Sequence, residues 1–153
     1  MFSESDLLQR LHQYARCFDG LVLTRSGKGV SDFKSRAELF IGPGHDGVIG
    51  EIYTDRSSVE HLHEDRLLEP FDRANRLELV RKEAIIEHIA RTVLQRIILN
   101  ERLWPHFANR ARLEKFWALQ PDDRRAIWGA PVNPLDALAD FDPKYIHDGL
   151  LSN

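Results

Sequence analysis

The sequence predicts an α+β fold, with an N-terminal helix and a three-stranded antiparallel meander packed on a mostly helical C-terminal half. Three observations lead there. Apolar residues recur at helical spacing over positions 7–18, and short apolar or alternating runs punctuated by glycine follow between 21 and 53. A long i, i+3, i+4 pattern then fills the segment after position 72.

At the first helix, Ser3 followed three positions later by Asp6 imitates a capping box, with Ser5 as the rival N-cap. Leu7, Leu8, Leu11, Tyr14, Ala15 and Phe18 make its apolar face, and Gly20 offers a left-handed stop. Residues 21–24 read as a short strand, and Ser26-Gly27-Lys28-Gly29 as its turn. Over 33–41 the odd positions Phe33, Ala37, Leu39 and Ile41 are apolar and Ser35 is the exception, which suits a strand with one face inside. Residues 42–47 form a glycine-rich loop, and 48–53 return as the third strand. Sequential antiparallel strands need only short connections, so a meander is the economical topology. Three strands must in turn pack on helices to be stable.

Residues 54–72 show no clear period and are expected to be a loop with one short helical turn near Val59 to Leu68. From Asp72 to about Leu103 the pattern is strongly helical. Leu79, Ile86, Ile89, Val93 and Ile97 make one stripe, widened by Leu77, Val80, Ala84, Ile85, Leu94 and Ile98, so this helix is expected to be central. Glu87 and Arg91 are placed as an i, i+4 ion pair. Pro105 ends or kinks the helix, a further helix spans 107–119, and Pro121 begins a short one reaching Trp128. The tail, with Pro131, Pro134 and Pro143, is expected to wrap the surface. No repeat, low-complexity tract or long linker divides the chain, which predicts a single domain over 1–153.

At 42% hydrophobic and 29% charged, the 153 residues supply a core and lack the depletion that marks disorder. A net charge of −3 favours solubility and gives no global attraction to nucleic acid or anionic membrane. Cys17 is the only cysteine, so no internal disulfide forms and nothing points to an oxidising compartment. In an amphipathic helix beside Phe18 it is expected to be a small buried thiol. The N-terminus lacks the basic and apolar regions of a secretory signal. The longest apolar runs, 84–86 and 97–99, fall far short of the ~20 residues of a membrane span. A cytoplasmic protein with no membrane association is expected.

Charge is uneven along the chain. Residues 44–72 hold eight acids against Arg56 and Arg66, a balance of −6; residues 73–117 hold ten bases against five acids, +5; residues 118–153 return to −3. Internal compensation is the simpler account. Two patches of opposite sign that recruit a partner or pair two copies of the chain are the sharper one.

The string His61-Leu62-His63-Glu64-Asp65 is the most suggestive local motif. Histidines at i and i+2 point to one side of an extended segment, and Asp65 can add an oxygen ligand, so His61, His63 and Asp65 form a candidate metal site. The string partly resembles the HxHxDH metal motif of the metallo-β-lactamase fold over residues 61–66, departing at Arg66 where that motif ends in histidine. The resemblance implies a metal-dependent hydrolase.

The glycine-rich segments 27–29 and 42–47 are read as hairpin turns. A phosphate cradle would need each to open a helix. A basic stretch with aromatics, Arg102, Trp104, His106, Phe107, Arg110, Arg112, Lys115 and Trp117, offers contact with phosphates and bases over 102–117. The same Trp and Arg residues suit the centre of a protein interface, so Trp104, Arg110, Arg112 and Trp117 are the candidate partner-binding residues. No complete catalytic set is legible. The leading expectation is a protein without catalytic activity or cofactor that acts through contact with a protein partner or a second copy. A metal-dependent hydrolase and a nucleic-acid binder are the alternatives.

Overall fold

The computed structural model describes residues 4–60, 73–139 and 141. Among these residues every regular element is a helix, so the expected meander is not there and the fold is all-α rather than α+β. The elements are α1 (Glu4–Val22), α2 (Gly29–Ile41), α3 (Asp46–Glu60), α4 (Arg73–Leu99), α5 (Trp104–Phe107), α6 (Arg110–Ala118), α7 (Pro121–Trp128) and a 3₁₀ segment (Pro134–Leu138).

Each expected strand fails for a specific reason. Residues 21–24 do not begin a new element, because α1 runs through Gly20 to Val22. Its stop is Leu23, which takes the left-handed backbone (φ 54°) that glycine usually supplies. The Leu23 N–H closes the last turn on the Asp19 carbonyl at 2.7 Å, and the Thr24 hydroxyl donates to the Asp19 carboxylate at 2.8 Å.

Residues 33–41 bury Phe33, Ala37, Phe40 and Ile41, a spacing of i, i+4, i+7 and i+8. The alternation over odd positions skipped Phe40, which is fully buried, and counted Leu39, which only packs at the edge of the core. Residues 48–53 bury Ile49 and Ile52, three apart, and continue as helix to Glu60. The part of the expected loop from 54 to 60 is therefore helical, while 61–72 lies outside the described residues. Both glycine-rich segments, read as hairpin turns, precede helices instead: 27–29 opens α2 and 42–45 joins α2 to α3.

The second half follows its pattern more closely. All five stripe residues of α4 are buried, and Glu87 and Arg91 form their ion pair. Ile98 departs from the stripe, at 64% exposed. Helix α4 ends at Leu99, before Pro105, which instead opens the single turn of α5. The Trp104 indole N–H then caps α4 by donating to the carbonyls of Ile97 and Ile98.

Helix α1 lies against α4 and α3; α2 packs on α3 and meets α7; the 3₁₀ segment covers α4. Buried side chains from α1 to Val132 form one cluster. Phe40 is its aromatic centre, edge-on to Phe18, Trp117 and Trp128 at 5.6, 5.9 and 4.7 Å between ring centroids. Each such pair adds about 0.5–1.5 kcal/mol beyond the area it buries. Two backbone links fix the C-terminal pieces to this centre: Trp117 Nε1 donates to the Leu21 carbonyl, and the Val132 N–H donates to the Phe40 carbonyl at 2.7 Å. Among the described residues no helix is long and apolar enough to cross a membrane.

Candidate functional site

A cleft of about 560 Å³ opens where α2, α6 and α7 converge, and its chemistry is dominated by arginine. Arg25, Asp32, Arg36, Trp117, Arg124 and Arg125 line it. Asp32 and Arg36 stand one turn apart on α2, so the helix places both on the same side. Arg124 and Arg125 come from α7, whose first turn carries Asp122 and Asp123.

Asp32 is buried and fully engaged. Its carboxylate accepts from the Arg25 backbone N–H at 2.9 Å, from Arg25 Nε at 2.8 Å and from Arg25 Nη2 at 2.7 Å. The side-chain hydrogen bonds from Arg25 hold this carboxyl far below the usual range, against the opposing effect of burial. It is therefore ionised and unavailable for proton transfer.

Arg36 reaches the other way along the end of α1. Its Nη1 donates to the Val22 and Leu23 carbonyls at 3.1 and 2.7 Å, satisfying groups that a helix C-terminus leaves open. Arg124 is anchored by Nη1 to the Trp117 carbonyl at 2.9 Å. Both guanidiniums stand over one indole ring, with Arg36 at 4.9 Å and Arg124 at 5.2 Å from the Trp117 centroid. The ring is itself fixed by its N–H bond to Leu21 and its edge contact with Phe40.

Neither Arg36 nor Arg124 has a carboxylate at ion-pair distance among the described residues, and their Nε and Nη2 donors meet no acceptor there. Desolvation lowers the Arg36 pKa, with Arg25 and Arg124 adding to that and Asp32 opposing it. Desolvation and then Arg125 lower that of Arg124. Arginine stays protonated regardless, so the site holds two ordered cations with donors to spare. It is chemically suited to an oxyanion.

The partner-binding residues read from the sequence do not share one surface. Trp117 is at the cleft, but buried (7% exposed) rather than presented. Arg110 borders an adjoining depression of about 490 Å³ that shares Arg25, Arg36 and Trp117, and there it pairs with Glu114. Arg112 lies on another face with its Nη1 on the Pro105 carbonyl, and Trp104 caps α4. His61, His63 and Asp65 lie outside the described residues, among which no three His, Cys, Asp or Glu side chains converge. Cys17, expected inside, is exposed.

Sequence reasoning missed Arg25, Arg36, Arg124 and Arg125. Reading 33–41 as a strand put Arg36 on a face opposite the core, whereas the helical spacing of Asp32 and Arg36 would have paired them. No family model, curated protein or solved structure matches this chain.

Proposed function

We propose that this chain is a non-enzymatic docking module that holds an acidic segment of a partner protein in the arginine cleft. The observation that carries this reading is the pair of guanidiniums, Arg36 and Arg124, stacked on Trp117 without a carboxylate partner among the described residues. Ordered arginines present donor forks that match carboxylate or phosphate geometry and lose little freedom when they bind. Arg25 and Arg125 border the same cleft, each paired with an acid. The proposed setting is the cytoplasm, supported by a single cysteine, which can form no internal disulfide.

Calorimetric titration of the full chain with a peptide rich in Asp and Glu tests the proposal. Saturable binding that weakens with added salt is expected. Arg124→Glu is expected to weaken it at least about tenfold, a loss of about 1.4 kcal/mol. Absence of binding, or an Arg124→Glu affinity equal to that of the unaltered chain, removes the reading. Stronger binding to a single-stranded oligonucleotide than to the peptide would move the site to the nucleic-acid class.

A further inference from the structure

We infer that the cleft recognises a phosphorylated side chain on the partner, a phosphomonoester dianion seated on the guanidiniums of Arg36 and Arg124. The inference rests on the docking reading above and names the group that the docked segment must carry.

Charge matching is the first argument. Of the four cleft arginines, Arg25 is neutralised by Asp32 at 2.7 Å and Arg125 by Asp122 at 2.9 Å. Arg36 and Arg124 remain, and two cations call for a dianion. Glu38 also borders the cleft, yet the acid acting on Arg36 is Asp32, opposed by Arg25 and Arg124. A single carboxylate brings one charge and two oxygens, enough for one fork. A phosphomonoester brings about −1.5 to −2 and three acceptor oxygens, enough for two.

Donor geometry is the second argument. Each guanidinium is held by Nη1 on a backbone carbonyl, which leaves Nε and Nη2 as its free edge. Both guanidiniums line the same cleft beside one indole ring, and Arg124 is among the cations that disfavour the charge on Arg36, a repulsion that an anion between them would relieve. All four cations of the cleft are arginine, the side chain suited to bidentate phosphate recognition, and none is lysine.

The test uses three peptides of one acidic sequence whose central residue is phosphoserine, glutamate or serine, titrated into the full chain by calorimetry. The phosphoserine peptide is expected to bind at least about tenfold tighter than the glutamate peptide, with serine the weakest. Arg36→Lys and Arg124→Lys keep the charge and remove the fork, so each should bring the phosphoserine and glutamate affinities toward parity. Arg36 also holds the end of α1, so thermal melting accompanies both variants; should Arg36→Lys fail to fold, Arg124→Lys decides. Equal affinity for phosphoserine and glutamate overturns the inference while leaving the docking reading intact. A phosphoserine preference that survives Arg124→Lys also overturns it. Failure of all three peptides to bind takes the docking reading down as well.

Discussion

Asp32 and Glu83 are the buried acids among the described residues, and their surroundings push them in opposite directions. Asp32 is held ionised by Arg25, so its contribution to folding is complete above the ordinary aspartate pKa of about 3.9 and is lost as pH falls toward its folded value. Asp32→Asn is expected to lower the melting temperature at pH 7, and the gap from the unaltered chain should narrow below about pH 4. A gap that stays constant from pH 5 to strong acid, followed by circular dichroism, would contradict this account. Glu83 sits between α4 and α1, where burial raises its pKa and Arg10, 3.2 Å away, lowers it. A raised carboxyl favours folding at low pH and costs stability as the pH rises through its folded value. Removing the cation while keeping the acid is therefore the harmful change. Arg10→Met should cost about 2 kcal/mol at pH 7 and less near pH 5, whereas Glu83→Gln should cost little at either pH. Denaturant titration at the two pH values separates these outcomes.

Among the elements, the helices marked by long apolar stripes or by proline at their start were legible, and α2 and α3 were not. Helices α1 and α4 carry long apolar stripes, and α7 has Pro121 at its start and Gly129 after its end, signals that survive any change in packing. The apolar alternation in α2, and the five β-branched residues and two glycines of α3, favoured strands locally, and the burial of Phe40 and Ile52 decided otherwise. The start of α6 shows a cap at work: the Asn109 side chain accepts the Arg112 N–H at 3.0 Å in extended backbone geometry. Asn109→Ala should destabilise by about 1 kcal/mol. Because α6 carries Trp117, it should also loosen the cleft, read as a shift in tryptophan emission that Asn109→Asp does not produce. An unchanged melting midpoint in Asn109→Ala would count against the cap.

On the scale of the whole molecule, Phe40 joins the two halves of the chain. Its ring meets Phe18 from α1, Trp117 from α6 and Trp128 from α7, and its carbonyl accepts the Val132 N–H. Phe40→Ala should cost about 3–5 kcal/mol, and the variant should still unfold in one step, with far-ultraviolet dichroism and tryptophan fluorescence coincident. Two separated transitions would show that α1–α3 and α6–α7 are not coupled through this ring. The helical periods of α1 and α4, the Glu87–Arg91 pair and the proline-marked start of α7 are legible along the chain, because these depend on spacings of four residues or fewer. That 29–41 and 46–60 are helical, and that Arg25, Arg36 and Arg124 line one cleft with the last two over Trp117, depends on tertiary packing. Those residues lie up to a hundred positions apart, and nothing local in a sequence records which distant cations will share one ring. Their meeting follows from burying Phe40 and Trp117 together, a packing choice made by the whole chain.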